Sequence, residues 1–304
     1  MNSTPPPTGT GTARGYRAGP SAWWTLPALA FFVVFALIPL AGVAVLSLMA
    51  WDGLSAPHWT GLRNWTRVLA DPVTGHAALL SLKIIVLSWL VQTPLSLFLG
   101  IFTAGRQRYR NVLAVLYFVP LLFSSAAVAI AFKAILDPNF GISRAVGWSF
   151  LSRDWLGDPQ LVLATVVFVI AWQFIPFHTL LYQAGVRQIP ASLYEASMID
   201  GAGPVQQFRW ITLPQLRYTL VTSSTLMVVG SLTYFDVVFV LTGGGPGYST
   251  RLLPLDMYLT GFSANDMGGA SVLAAILVVA GLLVAVGFTR FSGFNRMQSQ
   301  QEGL

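Results

Sequence analysis

Residues 189–214 read IPASLYEASMIDGAGPVQQFRWITLP. The stretch lies between two long apolar runs, yet it holds Glu195, Asp200, Arg209, two glycines and three prolines. Its punctuation spells out local structure. Pro190 ends the helix before it. Ser192 and Glu195 have the S-x-x-E spacing of a capping box, in which the Ser192 hydroxyl accepts from the Glu195 amide and Glu195 reaches back to the Ser192 amide. A short helix then runs to Asp200, and Gly201 suits the left-handed residue that closes it. Pro204 fits the first position of a second short helix, and Leu213-Pro214 leads into the next apolar run. The expected product is a compact helix-turn-helix. A plain connector is the competing reading, but joining two helices takes only about two to eight residues.

The flanking runs place this module beside a membrane. Of the 304 residues, 55% are hydrophobic and 9% charged, with a mean hydropathy of +0.66. A soluble domain carries about 25% charged residues. Crossing about 30 Å of hydrocarbon takes roughly 20 apolar residues as a helix. Uncharged runs cover Gly19–Trp51, Ile84–Gly105, Asn111–Phe132, Pro159–Val186, Tyr218–Phe235 and Met267–Thr289. We therefore expect an all-α membrane protein with six transmembrane helices, at about 24–50, 78–104, 111–135, 159–186, 215–241 and 267–289. The spans form a domain over 21–293, between a tail at 1–20 rich in Pro, Gly and Thr and a second tail at 294–304. Pro27, Pro39, Pro94, Pro120 and Pro176 fall inside expected spans, where neighbouring helices or water can satisfy the freed carbonyls.

Charge sets the orientation. With a cytoplasmic N-terminus, the inner segments hold Arg14, Arg17, Arg106, Arg108, Arg110, Arg187, Arg209, Arg217, Arg290 and Arg296. The outer loops hold Arg63, Arg67, Arg144, Arg153 and Arg251, together with most of the acids. The net charge of +6 is thus topological rather than a nucleic-acid signal. Both termini are expected inside, and the 189–214 module with them. There are no cysteines and only three scattered histidines, His58, His76 and His178, so neither a metal site nor a cofactor is expected. No G-x-x-x-x-G-K-[ST] phosphate loop is present, which points away from an ATPase site in this chain. The run TGGGPG at 242–247 lacks the lysine and falls outside, either as a flexible exit from the fifth span or as a loop at the outer mouth.

Glu195-Ala196-Ser197, then Gly201, then Ile211 and Leu213-Pro214 have the spacing of the EAA loop, E-A-A, three residues, G, nine residues, I-x-L-P. That loop marks the membrane subunits of bacterial binding-protein-dependent ABC importers, and only Ser197 departs from it. The surroundings YEASMIDGAG, FDVVFVLTGGGPGYST (235–250) and GLRNWTRVLADP (61–72) resemble the carbohydrate permeases similar to maltose and glycerol-phosphate transporters. The resemblance covers nearly the whole chain beyond the N-terminal tail. It implies the type I ABC importer permease fold in the bacterial cytoplasmic membrane. It also implies a second permease subunit as heterodimer partner, two ATPase subunits and an extracellular solute-binding protein. In such permeases the first helix of the loop couples to the ATPase, so Glu195, Ala196, Ser197, Asp200, Gly201, Ile211, Leu213 and Pro214 are the expected coupling residues. The solute is expected to be a sugar passing between the two permeases, with Trp172, Gln173, His178, Tyr234 and Asp236 as candidate pathway residues. An ion-coupled secondary transporter is the alternative, with Lys83, Lys133 and Asp236 as the ionisable groups in or near the spans.

Overall fold

The computed structural model describes residues 22–105, 108–147, 150 and 152–291. Both expected tails lie outside the described residues. The chain divides into two compact units, Met1–Gly42 and Val43–Leu304. The first is occupied by most of the helix α1, Trp23–Leu46. This helix carries no charge, and Trp23, Trp24, Phe31 and Phe35 are exposed. A helix apolar on all faces is one built for hydrocarbon. A π-turn at Val33–Leu37 precedes Pro39, which accommodates a proline ring that would clash in a regular turn.

The second unit opens with a two-residue hairpin, Met49–Ala50 against His58–Trp59, and the helix α2, Arg63–Ala70. Asp71 then caps α3, Pro72–Thr103, accepting from the Val73 amide at 2.9 Å with Pro72 in the first turn. This pairing of an acceptor cap with a following proline is a strong start signal. α3 packs along α6, Val162–Arg187. The buried face of α3 carries small and polar residues at helical spacing, Ser88, Gln92, Ser96, Gly100 and Thr103, of which Gly100 and Thr103 meet α6. Small residues at a membrane-helix seam let backbones approach closely. A Cβ on Gly100 would sit 2.6 Å from the Tyr182 Cβ and 3.0 Å from the Gln183 amide nitrogen. Gln183 closes the same seam by donating to the Thr103 carbonyl at 2.8 Å.

Two expected spans are not continuous helices. Between α3 and α6, α4 (Arg108–Phe118) runs through a 3₁₀ turn to Leu122 and bends by 96° into α5, Ser125–Ile135. Pro120 lies at that break, and Ser124 caps the new helix by accepting from the Ala127 amide at 3.2 Å. Pro94 and Pro176 sit inside helices that continue through them. The expected span at 215–241 divides into α9, Arg217–Ser231, and α10, Asp236–Leu241; α7 (Ala191–Ile199) and α8 (Pro204–Gln207) belong to the 189–214 module. No proline breaks this one. Ser231 donates to the Met227 carbonyl and Thr233 to the Gly230 carbonyl, both at 2.8 Å, so hydroxyls compete for acceptors at the helix end. After the glycine-rich loop come α11, Leu253–Tyr258, and α12, Met267–Phe291. Among the described residues, four helices are long and apolar enough to cross a membrane, or five with the bent pair taken as one span.

One apolar cluster joins α3, α5, α6, α10 and α11 through Ile84, Val128, Val166, Ile170, Val238 and Leu255. A second joins α2, α3, α11 and α12 through Val68, Ala77, Leu253 and Val272. The short helices α10 and α11 are thus held in the core although neither is long enough to cross a membrane by itself. The TGGGPG loop between them is pinned rather than loose, which corrects the flexible-exit reading. Thr250 is fully buried, 2.7 Å from the Thr242 hydroxyl, and donates to the Gly245 carbonyl at 3.0 Å. Beyond it, Arg251 pairs with buried Asp256 at 2.7 Å, and Thr74 of α3 donates to the same carboxylate at 3.1 Å.

Candidate functional site

The 189–214 stretch forms two short helices, α7 (Ala191–Ile199) and α8 (Pro204–Gln207), the second continuing through a π-turn to Gln215. The start of α7 differs from the expected capping box. Pro190 is the N-cap, its carbonyl accepts from the Leu193 amide at 3.2 Å, and no side chain caps the helix. Proline's fixed φ starts the helix two residues early. This places Ser192 inside it and leaves Glu195 exposed. The reciprocal contact occurs at α8 instead, where Gln206 Oε1 accepts from the Gly203 amide at 2.8 Å.

The end of α7 is as expected. Gly201 has φ +80°. Its amide donates to the Met198 carbonyl at 3.1 Å and the Ala202 amide to the Ser197 carbonyl at 2.8 Å, the two bonds of a Schellman motif. Pro204 opens α8, also as expected.

Side chains then lock the two helices together. Gln207 Nε2 donates to the Ser197 hydroxyl at 3.0 Å, and Ser197 donates to the Tyr194 carbonyl at 2.8 Å. The Tyr194 hydroxyl lies 2.9 Å from Thr212 Oγ1. Ser197, the single departure from the EAA spacing, is therefore the residue that ties α7 to α8. Alanine could not do this. Of the other expected coupling residues, Glu195, Ala196, Asp200, Gly201 and Pro214 are exposed, and Ile211 and Leu213 half-buried. The sequence reading passed over the apolar residues of this surface. Ile199 is 88% exposed and Trp210 71%, with Met198 and Val205 exposed as well.

A second feature is a cavity of about 410 Å³ where α6, α9 and α10 meet. It is lined by Phe174, Phe177, His178, Thr233, Tyr234 and Asp236, among others. It lies at the break between α9 and α10, which brings Tyr234 and Asp236 to its lining. Phe174 and Tyr234 stack with centroids 5.8 Å apart, and His178 Nδ1 lies 2.9 Å from the Ser223 hydroxyl. The size falls in the range of roughly 300–1,000 Å³ usual for small-molecule sites.

Three of the five sequence candidates, His178, Tyr234 and Asp236, meet here. The other two do not. Trp172 packs edge-on against Phe132 at 5.2 Å, and Gln173, buried, donates to the Phe123 carbonyl at 3.1 Å. Gln173 thereby holds the bend between α4 and α5. At 3.6 residues per turn, Phe174, Phe177 and His178 share one helix face and Trp172 points nearly opposite. The flanking aromatics Phe174 and Phe177 were legible as neighbours of His178 at that spacing.

Comparison with known proteins gives relatives of the chain as a whole. The sequence profile of the binding-protein-dependent transport system inner membrane component matches residues 96–294. The probable ABC transporter permease protein YurN of Bacillus subtilis is 31% identical, with 84% of this chain and 89% of that protein covered. The trehalose/maltose transport system permease protein MalF of Thermococcus litoralis is 30% identical, with 84% and 87% covered. Among solved structures, a bacterial ABC transporter involved in the import of the acidic polysaccharide alginate superimposes with a TM-score of 0.79. It is 20% identical and covers 90% of this chain and 95% of that chain.

Proposed function

The chain belongs to the family of binding-protein-dependent transport system inner membrane components and is a permease subunit of an ABC importer; from that premise we propose that it carries a sugar, driven through the 189–214 module. The observation that carries the proposal is the locked α7–α8 knob, whose exposed Met198, Ile199, Val205 and Trp210 suit the groove of a cytoplasmic ATPase subunit. A lever must be stiff to transmit a domain motion, and the Ser197–Gln207 and Tyr194–Thr212 bonds supply the stiffness. The chain itself holds no phosphate loop, so two separate ATPase subunits supply the energy. A second, similar permease completes the pathway, and a solute-binding protein delivers solute from outside.

The sugar assignment is supported by relatives named for trehalose, maltose and multiple sugars and by the cavity's stacked aromatic faces. His178, Tyr234 and Asp236 are its proposed polar contacts. In this reading six segments cross the cytoplasmic membrane, with α4–α5 and α9–α10 as broken spans, and both termini lie inside. The family assignment sets aside ion coupling.

The topology can be checked directly, because the chain has no cysteine of its own. Ser192→Cys, on the exposed face of α7, is expected to react with a membrane-impermeant maleimide only when the cytoplasmic face is open. Ser55→Cys, exposed in the first outer loop, is expected to react in intact cells. Labelling of Ser192→Cys from outside would refute both the topology and the coupling role.

A further inference from the structure

The charge of the cavity differs from what an acidic cargo requires. Among its lining residues Asp236 is the one carboxylate, and none is Lys or Arg. Asp236 is exposed. It makes neither of the ion pairs seen among the described residues, Arg67–Asp266 and Arg251–Asp256. It stands in the first turn of α10. The fifteen residues of α9 separate it from the 189–214 module, roughly 22 Å of helix at 1.5 Å per residue. That places the charge well away from the module. A second negative charge brought to the cavity lining is repelled by it, and salt screens that repulsion.

We infer that the cavity discriminates by charge, taking uncharged or amino-bearing saccharides and rejecting carboxylated ones, with Asp236 as the residue that sets the preference. The inference rests on the reading of this cavity as part of the solute pathway. Its chemistry is simple. A sugar hydroxyl or ammonium donates to the Asp236 carboxylate in a charge-assisted hydrogen bond. A uronate carboxylate has no proton to give and adds a second negative charge. Phe174 and Tyr234 stack the ring faces of either kind alike, so they do not discriminate.

The test uses the assembled importer in lipid nanodiscs without its binding protein, so that the permeases alone set selectivity. Three trisaccharide probes are compared by saturation-transfer NMR: maltotriose, the glucosamine trimer and the galacturonate trimer. In the wild type the galacturonate trimer is expected to bind at least about tenfold more weakly than maltotriose, a difference of about 1.4 kcal/mol. The glucosamine trimer is expected to bind at least as well as maltotriose. Asp236→Asn should close most of the gap, chiefly by admitting the anionic probe. High salt should narrow the gap in the wild type itself, a readout that needs no variant to fold. Equal binding of all three probes, no binding of any, or a gap unchanged in Asp236→Asn would overturn the inference. Failure of the transporter reading shows separately, as a wild-type complex that does not take up solute with ATP.

Discussion

Gly201→Val is expected to abolish ATP-driven uptake while the protein still reaches the membrane in normal amounts. The glycine sits at φ +80°, and an added Cβ there would meet nothing within 4 Å. The harm is therefore conformational rather than a collision. A β-branched residue at positive φ is a backbone outlier, and holding one there costs about 1–3 kcal/mol. That is too little to unfold a membrane domain. It is comparable to the two Schellman bonds and the Ser197–Gln207 bond that keep α7 aimed against α8.

The module is expected to relieve the strain by opening its turn, so that α7 is no longer held against α8. Co-purification of the ATPase subunit and solute uptake should fall together. Gly201→Asn, which tolerates the left-handed region, should keep most of both. Ser197→Ala removes one tie worth about 0.5–1.5 kcal/mol and should fall between. Glu195→Ala should leave the fold untouched, because Glu195 caps nothing. Normal ATPase binding and uptake in Gly201→Val would reduce the module to a connector.

Gly100→Leu is expected to prevent assembly altogether. Here the neighbours are backbone and a Cβ, at 2.6–3.0 Å from the added carbon, and none is the movable end of a long side chain. Overpacking costs about 1–3 kcal/mol where a core can adjust, and occasionally more. Here it would have to separate α3 from α6. The Gln183–Thr103 bond across the seam would then be lost. Size-exclusion chromatography of the solubilised protein should show aggregate in place of the wild-type peak. Gly100→Ala should give a lowered thermal midpoint. A monodisperse Gly100→Leu protein of wild-type stability would contradict the packing described for α3 and α6.

What the sequence revealed was local, and what it concealed arose from folding. The turn at Gly201 and the proline at the head of α8 were legible because backbone chemistry at one or two positions determines them. The capping box at Ser192 was misplaced because two local signals competed, and Pro190 set the helix start first. Hydropathy found where apolar chain runs but not where it bends. α9 ends at Ser231 inside an uncharged stretch, through serine and threonine hydroxyls that a hydropathy average counts as weak. His178, Tyr234 and Asp236 were found as polar groups in greasy surroundings. Trp172 and Gln173 matched the same criterion, yet face Phe132 and the Phe123 carbonyl. Which side of α6 meets the cavity is decided by α9 and α10, distant in the chain.

The most direct measurement is solute uptake into proteoliposomes that hold the chain with its partner permease, ATPase subunits and binding protein. ATP is supplied only on the face that carries residues 189–214, and proton and sodium gradients are collapsed with ionophores. Coupling through that module predicts accumulation that requires ATP, persists without ion gradients and is lost in Gly201→Val. Uptake that follows an imposed proton or sodium gradient and ignores ATP would contradict it.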